Sequence, residues 1–305
     1  MPTPCDVVVI GSSNMDMTIL CHELPVPGQT ILGHDFTMNP GGKGANQAVA
    51  CAKLGAPTQL VARLGHDVFA QASCASFGGA KLMTEYLVRD EAAASGVALI
   101  FVDEDGENQI VVAPGANMRL TPADVEAALS AIESAQVMIL QLEIPMETVL
   151  RAAQLAVENR TRVILNPAPA RQLPPELLEK VDILIANETE IMVLTGAHDV
   201  DTPTASRACQ PLLQAGVETV ITTLGRQGAI ITSGVGASKV PGFVVKAVDT
   251  TAAGDTFAGG VACALAEGLP LEDAVRFANA AAALSATKVG AQISMPTRQQ
   301  VDAML

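Results

Sequence analysis

Short runs of β-branched residues alternate with helical patterns along most of this chain, and that alternation restricts the fold more than any other feature. The strand-like runs are Asp6–Gly11 ("DVVVIG"), Gln59–Leu64, Val137–Leu142, Arg162–Leu165, Ile183–Ala186, Thr219–Thr223 and Ala229–Thr232. Helical patterns lie between them, among them Pro122–Ala135, with Thr121 as N-cap, and Glu147–Glu158. Strands that alternate with helices build a mostly parallel sheet covered on both faces. The expected fold is therefore α/β, with three layers in the order α/β/α.

Two stretches break the rhythm. Residues 95–115, "SGVALIFVDEDGENQIVVAPG", read as two strands around the turn signal Asp105-Gly106. Residues 17–38 read as two more strands around a Pro/Gly loop. Both are antiparallel material inserted into an α/β chain. They are expected to form a small β-sheet lid, from about 17–38 and 95–113, on a single domain covering 1–305.

Composition narrows the partners. With 49% apolar and 16% charged residues the chain is globular rather than disordered. A net charge of −14, no Trp and no run of basic residues argue against nucleic acid. The six cysteines form no C-x-x-C pair and the four histidines are isolated. We therefore expect neither a disulfide framework nor a His-based metal site. The opening "MPTPCDVVVIGSS" has no basic leader, and no apolar run approaches membrane-spanning length. A cytoplasmic location without membrane attachment is expected.

Open parallel sheets bind ligands beyond the carboxyl ends of their strands. Polar residues follow those ends here: Asn14 and Asp16, Glu143, Asn166, Asn187 and Glu190, then Thr223 and Gly225. Each alone is an ordinary turn former or helix cap. Together they favour a pocket.

Two glycine-rich stretches open helices beside it. "GGKGANQAVACAKLG" (41–55) has the marks of a phosphate cradle. It fails the P-loop template, because Lys43 is followed by Gly44 and not by a hydroxyl. "GSSNMD" (11–16) likewise fails the dinucleotide template G-x-G-x-x-G. In the second stretch, 248–268, the small side chains of Ala252, Ala253 and Gly254 leave amides bare at a helix N-terminus, an anion hole. Asp255 stands beside it in the first turn. It is either a first-turn acid that favours the helix dipole or a base that takes a proton from a hydroxyl during phosphoryl transfer.

These two stretches resemble the paired signatures of the PfkB carbohydrate kinase family, and the likeness is closest to its ribose-phosphorylating branch. It runs nearly end to end, through "GSSNMD" (11–16), "PGGKGANQA" (40–48), "SGVALIFV" (95–102), "GAN" (115–117), "QLE" (141–143) and "LNPAPAR" (165–171). It continues in "NETE" (187–190), "TLGRQG" (223–228), "VPGFVVKAVDTTAAGDTF" (240–257) and "GAQIS" (290–294). The resemblance implies ATP-dependent phosphorylation of the 5-hydroxyl of D-ribose, a β-sheet lid and a homodimer formed through it. Carried over, Asn14, Asp16, Gly42, Lys43, Asn46 and Glu143 would hold the sugar. Asp255 would be the catalytic base, with Ala252, Ala253 and Gly254 as anion hole.

For the nucleotide, Asn187, Thr223, Gly225, Gly228, Gly254 and Asn279 would line the ATP cleft, and Glu190 would position Mg²⁺ through water. A K⁺ site beside the anion hole would draw on Asp249, Thr251, Ser285, Lys288, Gly290 and Ser294, with Lys288 giving only its backbone carbonyl. Kinases for 2-deoxyribose with this layout tend to carry an apolar residue at position 14, so Asn14 favours ribose. The alternatives are a kinase for another small sugar or nucleoside, and a catalytically silent sugar-binding protein. One segment departs from the family. After "RLGHD" (63–67) relatives usually carry glycine near position 70 and bulky aliphatic residues, where this chain has Ala70, small residues and a Gly78-Gly79 break. That bears on local helix packing, not on the site.

Overall fold

The computed structural model describes residues 3–305. Its strands in chain order are β1 (Val7–Ile10), β2 (Asn14–Cys21), β3 (Gly33–Gly41), β4 (Thr58–Gly65), β5 (Met83–Asp90), β6 (Gly96–Val102) and β7 (Asn108–Ala113). They continue as β8 (Val137–Leu140), β9 (Arg162–Leu165), β10 (Ile183–Asn187), β11 (Thr219–Thr223), β12 (Ala229–Ser233) and β13 (Gly236–Val240). Nine form one sheet in the order β13-β12-β11-β10-β9-β8-β1-β4-β5. From β5 to β11 the pairing is parallel, and β12, reversed between β11 and β13, makes the antiparallel pairs at the edge.

Continuous apolar runs such as Val7–Ile10 and Val137–Leu140 are wholly buried because helices cover both faces. One core cluster packs helices Lys43–Lys53, Ala253–Ala266 and Leu271–Ser285 on one face. The other packs Met146–Asn159 and its neighbours on the opposite face. This is the three-layer α/β/α arrangement expected from the alternation. All six cysteines are free thiols, and all but Cys74 are buried. No helix among the described residues is long and apolar enough to cross a membrane.

Strands β3-β2-β6-β7 form a second, smaller sheet, the lid. Each of its two hairpins is antiparallel, as read from the sequence. The hairpins are joined through β2 and β6 in parallel, which the sequence reading had not anticipated. Three residues, Gly11–Ser13, separate β1 of the main sheet from β2 of the small one.

Other boundaries differ locally. The single helix expected over Pro122–Ala135 is two, Pro122–Ala127 and Leu129–Ser134, meeting at Ala128; its Thr121 cap is present as a capping box with Asp124. Strands β5 and β13 were not expected, since half-exposed edge strands carry weak alternation. The unusual segment after Asp67 forms a regular helix, Val68–Gly79, capped by the Asp67 carboxylate on the Ala70 amide and anchored by fully buried Phe77.

Candidate functional site

Helices Lys43–Lys53 and Ala253–Ala266 begin side by side near the carboxyl ends of the central strands, and Asp255 lies between them. Its carboxylate is buried, with 7% of the residue exposed. Oδ1 accepts a hydrogen bond from Gln47 Nε2 and Oδ2 accepts one from Asn46 Nδ2, each at 3.0 Å. Gln47 is itself fixed. Its Nε2 also donates to Asn166 Oδ1 at 3.0 Å, and its Oε1 accepts from Gln141 Nε2 at 2.6 Å. Two neutral amides thus hold both carboxylate oxygens without cancelling the charge, and each oxygen keeps lone-pair capacity for a substrate hydroxyl.

A second cluster faces it. Glu143 Oε2 accepts from Ser12 Oγ and from the Lys43 amide at 3.1 Å, tying β1, the first glycine-rich loop and the end of β8 together. Asp16 sits nearby, its carboxyl pushed up to about 7 by burial and by the charges of Glu143 and Asp255. Burial pulls the Lys43 ammonium down, but Asp255, Glu143, Glu190 and Asp16 outweigh it and hold the group above its usual range. Lys43 is therefore a firmly charged cation in an acidic pocket.

Asn14 is oriented by Asn117, a residue without an expected role. Asn117 Nδ2 donates to Asn14 Oδ1 at 2.7 Å, while Asn117 Oδ1 accepts from the Ser13 amide at 2.9 Å. With its oxygen so engaged, Asn14 has its NH₂ group free to donate. The arrangement needs Gly96, where a Cβ would stand 2.1 Å from Asn14 Oδ1. Gly42 caps the first helix at φ +86°, with a Cβ excluded by the Asn14 amide at 2.6 Å.

The second glycine-rich start differs in one respect from the three bare amides expected. Ala252 is the N-cap, in a left-handed conformation at φ 57°. The Ala253 amide donates back to Thr250 O at 3.1 Å, and Ala252 O accepts from both the amide and the hydroxyl of Thr256. Ala253 thus serves the turn that shapes the loop. Gly254 is exposed in the first turn, at the positive end of the helix.

The remaining candidates fall in two groups. Asn187 and Glu190 form a reciprocal capping box at the start of Glu188–Thr195, with Asn187 Oδ1 accepting from the Glu190 amide and Glu190 Oε2 from the Asn187 amide. Thr223 ends β11, and Gly225 and Gly228, both at positive φ, shape the turn to β12. Asn279 spends its amide on the carbonyls of Val240 and Pro241, each at 3.2 Å, so it secures the strand exit.

Asp249 accepts from the amides of Thr251 and Gly290, both at 2.8 Å, which brings the two proposed cation-binding loops together. Burial raises its carboxyl, but these donors prevail and hold it below the usual range. Ser285 and Ser294 donate to Ala282 O and Ala291 O, leaving their oxygens as acceptors. Lys288 lies in the same turn, its amide bonded to Ser285 O. Among the described residues no group of three or more His, Cys, Asp or Glu side chains could hold a metal.

Gln47, Asn117, Ser12 and Gln292 all fall inside the motifs quoted above, yet none was assigned a part. Neutral amides and a serine in a helix or loop carry no positional signature of chemistry. A concavity of about 610 Å³ at the amino ends of β8–β10, lined by Arg160, Arg162 and Asp182, contains none of the candidate residues.

Comparison with known proteins gives a consistent picture. The pfkB family carbohydrate kinase model matches residues 5–298. A ribokinase of Haemophilus influenzae is 41% identical over 96% of each chain, and a deoxyribokinase of Salmonella typhi is 37% identical over 98% of each. The structure of Arabidopsis thaliana ribokinase complexed with ribose and ATP is similar with a TM-score of 0.92, at 33% identity over 99% of each chain.

Proposed function

This chain belongs to the pfkB family of carbohydrate kinases, and from that premise we propose that it transfers the γ-phosphoryl group of ATP to the 5-hydroxyl of D-ribose. The observation that carries the reading is Asp255, buried at a helix N-terminus with both oxygens oriented by Asn46 and Gln47. Asn14, Asp16 and Glu143 surround the same space with short polar groups suited to an uncharged polyol. As the sugar oxygen attacks phosphorus its proton passes to Asp255, and ADP leaves. Lys43 and the start of Ala253–Ala266 stabilise the charge on the transferring group.

Mg²⁺ keeps most of its waters and binds chiefly to nucleotide phosphates, which suits a site that offers Glu190 rather than a carboxylate cage. When bound it neutralises phosphate charge. Asn187, Thr223, Gly225 and Gly228 would line the nucleotide cleft. The joined loops at Asp249 and Gly290 suit a monovalent cation, with K⁺ the expected activator.

Sequence identity alone does not separate ribose from 2-deoxyribose, because relatives named for each sugar stand at similar distance. Asn14 does. Its NH₂ group, free because Asn117 holds the oxygen, is a donor for a hydroxyl that 2-deoxyribose lacks. A panel of sugars assayed with ATP tests the reading. A higher kcat/KM for ribose than for 2-deoxyribose is expected, and equal values would refute the assignment.

We read the whole chain as one domain with the small sheet as its lid, and the lid as the seam of a homodimer. Phe36, Met38, Leu99 and Val111 are exposed apolar residues. The register puts them all on the face of the lid opposite Asp16.

A further inference from the structure

Gln292 is buried, 4% exposed, in the loop after Leu271–Ser285, and its side chain joins two parts of the molecule. Its Nε2 donates to Asn46 Oδ1 at 3.2 Å, and its Oε1 accepts from Ser76 Oγ at 2.7 Å. Asn46 in turn donates to Asp255. The polarity of this chain is set from its far end. A carboxylate only accepts, so Asn46 must turn its NH₂ toward Asp255 and its oxygen toward Gln292. Gln292 must then present its NH₂ to Asn46 and its oxygen to Ser76, whose hydroxyl closes the series as a donor.

Ser76 belongs to Val68–Gly79, the helix whose small residues depart from the family pattern. That helix is held independently by Phe77 and the Asp67 cap. The backbone of Gln292 is also fixed, because Lys53 Nζ donates to Gln292 O at 2.6 Å and to Met295 O at 3.2 Å.

We propose that Ser76 and Gln292 are positioning residues that orient Asn46, and through it the carboxylate of Asp255, for proton abstraction. The proposal rests on the reading of Asp255 as the base. It gives the unusual helix a part in turnover, and it limits Asn46 to one free face for the sugar.

The experiment is a double-mutant cycle of Ser76→Ala and Gln292→Met, with ribose and ATP. Gln292→Met, which keeps the volume but loses both hydrogen bonds, lowers kcat by about tenfold, the effect of one buried hydrogen bond. The KM for ATP holds. Ser76→Ala costs less, adds nothing in the Gln292→Met background, and is relieved by Ser76→Thr. The acid limb of the kcat profile moves to higher pH in both single variants, because Asn46, no longer held firmly by Gln292, donates less well to the charged carboxylate. Multiplying costs in the double variant, or an unmoved acid limb, would overturn the chain.

If Gln292→Met fails to fold, as its Tm would reveal, Ser76→Ala against Ser76→Thr decides through the pH profile alone. Asp255→Asn separates the two claims. Full turnover there removes the base, whereas coupled costs at Ser76 and Gln292 uphold the positioning chain independently.

Discussion

Gln47 Nε2 donates to Asp255 Oδ1 at 3.0 Å inside the core, across a separation of 208 residues. The second glycine-rich segment carries the acid, and the first carries the amides that aim it. Removing the acid is the direct test. Asp255→Asn is expected to lower kcat by at least ~10²-fold, the low end for loss of a general base. Measurement with saturating ribose and ATP checks this, and near-normal turnover would exclude the role.

Sugar choice should depend on Asn14 and its keeper together. Asn14→Leu removes the donor, and Asn117→Leu frees the Asn14 amide to turn. Each should reduce the preference for ribose over 2-deoxyribose by about tenfold or more, since a site built to bond a hydroxyl penalises its absence. The ratio of kcat/KM values is the readout. Loss of activity on both sugars in equal measure would contradict the idea.

Asp16 makes stability depend on pH in a defined direction. Its carboxyl lies at about 7 in the folded protein, raised by burial and by Glu143 and Asp255, against 3.8 ordinarily. The folded state therefore binds the proton more tightly than the unfolded one, and stability falls as pH rises from about 4 to about 7. Asp16→Asn removes that term. Its Tm in the absence of ligands should match the parent near pH 4, exceed it increasingly to pH 7, and stay ahead by a constant margin above. A margin that does not vary with pH would show that Asp16 titrates elsewhere.

For the cation loops, replacing Na⁺ with K⁺ should raise turnover. Asp249→Ala, which unties Gly290 from Thr251, should abolish that response. The response is read as kcat in each salt at equal ionic strength. An Asp249→Ala enzyme that still distinguishes the two ions would place the activator at another point.

The outward lid face supplies a prediction about assembly. Val111 is 64% exposed on β7. Val111→Asp places a charge in the middle of that apolar face and should convert a dimer to a monomer in analytical ultracentrifugation. A monomeric parent, or an unaffected dimer, would dismiss the lid as the seam.

The sheet was legible in the sequence because buried parallel strands such as Val7–Ile10 read as unbroken apolar runs between helices. The hairpins were legible from turn chemistry, Asp105-Gly106 in one and a Pro/Gly loop in the other. The parallel β2–β6 pairing was not, since register between distant hairpins leaves no local mark. Asp255, Glu143 and Asn14 stood out because they follow strand ends or open a helix. Gln47 and Gln292 did not, for a buried amide differs from a solvated one only in what surrounds it. What Asn279 and Ala253 also do for the fold was not legible, since their bonds to the carbonyls of Val240, Pro241 and Thr250 depend on loops distant from the motifs or on local turn geometry.

Only three residues, Gly11–Ser13, carry the chain from β1 of the main sheet to β2 of the small one. Asn14 stands immediately beyond them and Asp16 only about 7 Å further out, at the ordinary rise of a strand. A tilt that carries the far end of β2, at Cys21, through several ångströms displaces Asn14 by a small fraction of that distance. Asn14, at the root of β2, would therefore keep its place more closely than any residue further along the strand. If Asn14 reads the sugar as proposed, discrimination rests at the root of the lid, where its displacement is smallest.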